Sequence, residues 1–129
     1  MRGANRESVD RTLAALADPV RRGVIDLLRK KPRNASALAD ALGLSRPAMS
    51  RHLRVLRKNG LVREEAHEAD ARLRMYQLEE PHFRELASWI LEVQSFWQDQ
   101  LESFRIHAET RSSADRTLTA ERSARRAPR

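Results

Sequence analysis

The 129-residue sequence has no cysteine, which excludes a disulfide framework, a thiolate metal site and a cysteine nucleophile together. No stretch approaches the roughly 20 apolar residues needed to cross a bilayer. Residues 1–10 mix Arg2, Arg6, Glu7 and Asp10 with no apolar run, so neither a signal peptide nor a membrane anchor is expected there. Catalytic signatures are equally scarce. There is no Gly-rich phosphate loop, no HExxH and no nucleophile beside a candidate base, and the serines fall at helix caps and in the tail. These absences lead to the expectation of a reduced, cytoplasmic protein that is not an enzyme and carries no cofactor. A chain of 129 residues suffices for one domain without staples.

Positive charge, by contrast, is plentiful. The formal net charge is +7, and residues 110–129 hold six arginines (Arg111, Arg116, Arg122, Arg125, Arg126, Arg129) against Asp115 and Glu121. A basic balance suits a polyanionic partner, but it also serves solubility alone, so the location of the charge matters more than its total.

Apolar residues recur at helical spacing through most of residues 9–108. Residues 1–8 are an N-terminal extension, and residues 109–129 form a basic tail with too little apolar content to pack, expected to be disordered. A first helix is expected over 8–17, with Val9, Leu13 and Leu16 on one face. Asp18-Pro19 starts a second, because Asp caps free backbone donors and Pro is tolerated at the first helical position. Pro32 ends it. Asn34 caps a short third helix over 35–42, which stops at Gly43. Ser45 caps a fourth only two residues later, and two short helices joined so tightly make a helix-turn-helix. Residues 61–64 and 73–78 read as two strands around a charged loop, and a last helix follows from Pro81 to about residue 107. The fold expected is mainly α: a winged helix-turn-helix of five helices and a two-stranded wing, dimeric.

The fourth helix, SRPAMSRHLRVLRKN, carries Arg46, Arg51, Arg54, Arg57 and Lys58 and no acid. Met49, Leu53 and Leu56 share one face and anchor it, while Arg46, Pro47, Ser50, Arg51 and Arg54 take the other. Like charges at such spacing repel. A phosphate backbone removes that repulsion, and an arginine fork also pairs with guanine in the major groove.

The segments ALADPVRRGVIDLL, LADALGLSRPAMSRHLRVLRKNGLV and RLRMYQL together resemble the ArsR/SmtB family of bacterial winged-helix repressors over roughly residues 12–105. The resemblance implies that the fourth helix is the recognition helix and the hairpin a wing. It puts Ser45, Arg46, Ala48, Ser50, Arg51 and His52 where the family touches double-stranded DNA, and Arg72 and Arg74 in the wing. The chain departs from the pattern in having Ala71 where a wing-tip Gly is usual, with Glu68 and Asp70 adding acid nearby. For His52 two roles stand open, a DNA contact or a polar residue satisfied against the core.

On the last helix Phe83, Leu86, Ile90, Val93, Trp97 and Phe104 follow a three/four alternation, widened by Trp89, Phe96 and Leu101. So large an apolar stripe calls for a partner, and a two-fold homodimer is the simplest one. The family resemblance implies the same, with Leu13, Leu16, Ile90, Trp97 and Phe104 as candidate interface residues. Some members of the family sense metals, but here the third helix, ASALADAL, lacks thiolates, and His82 and His107 lie too far apart to hold one ion within a subunit. No metal is therefore expected, although a cross-subunit site using either histidine stays open. Trp89 and Trp97 fit a dimer core better than a small-molecule pocket. Beside a palindrome-reading repressor with an unidentified effector stand two other classes, an architectural protein binding DNA through charge alone and a protein-interaction module.

Overall fold

The computed structural model describes residues 2–126, so Met1 and residues 127–129 of the expected extension and tail lie outside the described residues. In chain order the elements are α1 (Arg2–Leu16), α2 (Pro19–Lys30), β1 (Arg33–Asn34), α3 (Ala35–Leu42), α4 (Arg46–Lys58), β2 (Val62–Ala66), β3 (Arg74–Leu78) and α5 (Pro81–Arg126). The chain divides into two compact units, Met1–Trp89 and Ile90–Arg129.

Capping side chains set the helix starts in the first unit. Asp18 Oδ1 accepts from the Val20 and Arg21 N–H groups at 2.8 and 3.1 Å, and Pro19 begins α2 where its missing donor is harmless. Asn34 Oδ1 accepts from Ala37 N–H at 2.8 Å, opening α3. Gly43 closes α3 with φ 66°, the left-handed conformation that residues with a Cβ avoid. Leu44 N–H then donates back to Ala39 O at 2.9 Å. Two residues after Gly43, Ser45 Oγ accepts from Ala48 N–H at 3.2 Å and α4 begins.

The core of this unit gathers Val24 and Leu28 from α2, Leu38 and Ala39 from α3, Met49, Leu53 and Leu56 from α4, and Leu61 and Val62 after it, all buried. Each of the Val, Leu and Met side chains contributes about 1.5–3 kcal/mol on burial. Tyr76, Leu78 and Phe83 pack against that cluster from β3 and α5.

Three features differ from the sequence expectation. The sheet has three antiparallel strands in the order β1-β3-β2, not two, with Arg33 and Asn34 opposite Tyr76 and Met75. A cap residue has extended backbone, and Asn34 at φ −84°, ψ 167° can therefore open α3 and pair with β3 at once. Second, α1 begins at Arg2 rather than near residue 8. Third, α5 continues to Arg126 where an irregular tail is expected from residue 109. That segment has no Gly or Pro and is rich in Ala, Arg, Glu and Thr, so little opposes helix within it. The hydroxyls of Thr110, Thr117 and Thr119 donate to carbonyls four residues back at 2.8, 3.0 and 2.9 Å. The side chains of residues 109–125 are exposed.

Asp18 makes α2 sensitive to acid. The Arg21 N–H bond above all, with the Val20 N–H and the charges of His52 and Arg21, holds the carboxyl below its ordinary 3.8 against the opposing effect of burial. Because the folded value is depressed, the stabilisation is full above the unfolded value and fades as pH falls through the lower folded one. Asn caps as Asp does but does not titrate. Thermal unfolding of Asp18→Asn between about pH 5 and about pH 2 is therefore expected to fall less steeply than that of the parent.

Candidate nucleic-acid interface

Helix α4 is divided lengthwise. Met49, Leu53 and Leu56 are no more than 2% exposed, and their burial turns Arg46, Pro47, Ser50, Arg51 and Arg54 outward, all exposed, with Ala48 half-buried beside them. Among the described residues Arg46, Arg51 and Arg54 take part in no ion pair. Arg51 and Arg54, three residues apart, are neighbours on the helix surface, where like charges repel by about a few tenths of a kcal/mol. The positive end of the helix dipole lies at Ser45, adding to the same field. Such a face is matched by an anionic surface that runs along the helix, as a nucleic-acid backbone does.

His52 has a partner within the fold. It is half-buried, and its Nδ1 accepts from Arg21 Nη1 at 3.3 Å. Arg21 in turn donates through Nε to Ala15 O at 2.6 Å and through Nη2 to Ala14 O at 3.4 Å. The imidazole thus braces α4 against the end of α1.

The wing joins β2 to β3 in a register that sets Glu64 opposite Tyr76 and Ala66 opposite Arg74. Its tip is shaped by Asp70, whose Oδ1 accepts from Arg72 N–H at 3.0 Å, and by His67, whose N–H donates to Leu73 O at 2.8 Å. The Arg72 side chain is exposed and is in no ion pair among the described residues. Arg74 differs: its Nε lies 3.3 Å from Glu64 Oε1, while Arg57 Nη1 donates to Glu64 Oε2. Glu64, with a side chain only 19% exposed, therefore ties the last turn of α4 to the wing. Burial, then the Glu64 charge, push the neighbouring Tyr76 phenol up, opposed by Arg57 and Arg74. Arg63, Glu65, Gln77 and Glu79 interlock on the strands beside this group.

The apolar candidates fall in both units. In the first, Leu13 is exposed while Leu16 packs partly against the subunit's own core. In the second, Ile90, Trp97 and Phe104 are 49%, 60% and 70% exposed, and Val93, Phe96 and Leu101 are exposed with them. Phe96 and Trp97 meet edge to face with ring centroids 5.7 Å apart.

Sequence reasoning missed the Glu64 link and the Arg21 brace. Glu64 is one acid in an acidic stretch, and only the folded chain brings it to both Arg57 and Arg74. Arg21 lies 31 residues from His52, beyond any periodic signal.

A helix-turn-helix domain family matches residues 16–65. The HTH-type transcriptional regulator Rv2034 of Mycobacterium tuberculosis is 37% identical over 97 residues, spanning 75% of this chain and 85% of the relative. The HTH-type transcriptional repressor SmtB of the same organism is 37% identical over 70 residues, 54% of this chain and 50% of the relative. Among solved structures, the crystal structure of an ArsR family transcriptional regulator superposes with TM-score 0.63 at 29% identity, covering 72% of this chain and 93% of that one. The solution structure of a homodimeric winged helix-turn-helix DNA-binding domain from Mycobacterium bovis, a possible ArsR-family regulator, gives TM-score 0.55 at 27% identity, covering 78% and 88%.

Glu64→Gln keeps the shape of the link but removes its charge, releasing Arg57 and Arg74. Fluorescence anisotropy on a labelled duplex is expected to show tighter binding at low salt and a log–log salt slope steeper by about 0.9 for each arginine that gains a phosphate. An unchanged slope would mean that both arginines stay turned inward.

Proposed function

The chain belongs to the ArsR/SmtB family of winged helix-turn-helix transcriptional regulators, and on that premise we propose that it is a cytoplasmic homodimeric repressor reading a palindromic operator through α4. The observation that carries this is the exposed face of Arg46, Ser50, Arg51 and Arg54, free of carboxylate partners among the described residues and held outward by a buried Met49–Leu53–Leu56 edge. Arg46 and Arg51 read base edges, Arg54 and the N-terminus of α4 at Ser45 hold phosphates, and Arg72 reaches the backbone from the wing. Arg74 stays with Glu64 until DNA competes for it. Dimerisation is supported by the exposed Ile90, Trp97 and Phe104 and by the homodimeric relative from Mycobacterium bovis.

The reading is non-catalytic. Ser8, His82 and Glu85 lie together, yet both Ser8 Oγ, at 2.8 Å, and Glu85 Oε2, at 3.8 Å, approach the same ring nitrogen, Nδ1. A histidine so placed cannot take a proton from serine on one side while a carboxylate orients it from the other. Among the described residues no helix is long and apolar enough to cross a membrane, and no group of three acid or histidine side chains is arranged to hold a metal.

Selection from random duplexes at physiological salt should return a palindrome with half-sites about 34–36 Å apart, and on that duplex Arg46→Ala and Arg51→Ala should each lose about 1–3 kcal/mol of affinity with the dimer unchanged in sedimentation. Retention without a motif would favour charge-driven architectural binding, which the arginines of the last helix suit. Removing residues 110–129 is expected to lower the salt slope on unrelated duplexes more than it alters preference for the selected one. A slope that does not move would show that those arginines make no phosphate contact.

A further inference from the structure

Within the first unit, at the C-terminal end of α4, lies a cavity of about 160 Å³ that the reading of DNA does not use. Ser8 and Arg11 line it from α1, Arg57 and Lys58 from α4, Asn59 and Gly60 from the turn beyond, and His82 from α5. These segments are far apart in sequence, and their convergence brings four basic side chains to one concavity.

The charge around it is unbalanced. Glu64 engages Arg57, and Glu85 lies 3.8 Å from His82 Nδ1. Arg11 and Lys58 enter no ion pair among the described residues. Ser8 is only 8% exposed, and its Oγ lies 2.8 Å from His82 Nδ1. If the hydroxyl donates to Nδ1, the imidazole keeps a proton on Nε2; if Nδ1–H donates to Oγ, the hydroxyl keeps its own. Either way the pair retains a donor among the lining groups. Gly60 is part of the construction: at φ +70° a Cβ would come within 2.5 Å of the His82 ring, so a side chain there would push the imidazole aside.

We propose that this cavity binds a small free oxyanion of the phosphate class. Its volume is about that of five liquid waters at roughly 30 Å³ each, room for one tetrahedral anion. Its lining offers guanidinium, ammonium and hydroxyl or imidazole donors and few opposing carboxylates, the combination that charge-assisted hydrogen bonds to such an anion require. Arg57 can turn from Glu64 toward the ligand, so occupancy would also loosen the link between α4 and the wing. A bound anion would join α1, the end of α4 and the start of α5. Its effect on DNA rests on the reading of α4 as the recognition helix, whereas the binding does not.

Calorimetric titration of the full chain with inorganic phosphate, against sodium chloride at matched ionic strength, tests this. Saturable binding is expected, weakened about tenfold by Arg11→Gln and by Lys58→Gln, as for loss of one charge-assisted hydrogen bond, and unchanged by Arg51→Gln. A response that follows ionic strength alone, or that survives both cavity substitutions intact, overturns the site. If phosphate gives no saturable binding while the same two substitutions weaken duplex binding, the cavity serves a DNA phosphate and the free-anion proposal fails. Saturable phosphate binding by a protein that retains no duplex would leave the site standing and remove the reading of α4.

Discussion

The burial of Met49, Leu53 and Leu56 is the constraint on which the rest depends. A helix of 13 residues, α4, has only one face that can join the core, and once those three side chains occupy it the arginines have nowhere to go but outward. The direction of the cationic face is therefore set by the core beneath it. The flanking turns serve the same end: Gly43 lets α3 stop sharply, and Ser45 starts α4 at once, so the two helices hold a fixed relation. Arg21 and His52 brace α4 from α2, tied in turn to the carbonyls that end α1.

Electrostatics divides the basic residues into two groups. Arg46, Arg51 and Arg54 face solvent without carboxylate partners among the described residues, whereas Arg57 and Arg74 share Glu64. A half-buried carboxylate between two arginines fixes the wing against the end of the helix while lowering the free positive charge there. On the proposed reading, discrimination between DNA sequences falls mainly to the first half of α4, and the wing adds affinity through Arg72. The same end of α4 opens onto the polar cavity beneath α1 and α5, so the charge that does not face DNA is gathered where a small anion could answer it.

Much of this is legible in the sequence because local signals agree with the fold. Asp18-Pro19, Asn34, Gly43 and Ser45 mark helix ends by side-chain chemistry, and the three-and-four spacing of Met49, Leu53 and Leu56 marks the buried edge. What stays hidden depends on contacts between distant residues or on segments too short for a period. Strand β1 has two residues, one of them a helix cap. The part of α5 from residue 109 to Arg126 carries no apolar stripe, and a stripe reports packing rather than helicity. His52 meets Arg21, and Arg74 meets Glu64, in contacts that no spacing rule connects. The cavity draws on Ser8, Lys58 and His82, which only the folded chain brings together.

The central claim is that the outward face of α4 reads base edges in the major groove. Methylation protection at guanine N7 tests it most directly, because that atom lies only in the major groove. On a duplex retained by the protein, the account predicts two patches of protected guanines about one helical turn apart, with protection lost at matched sites when Arg51 is replaced by Ala. Retention with every guanine N7 still reactive, or protection that persists unchanged without the Arg51 guanidinium, would contradict it.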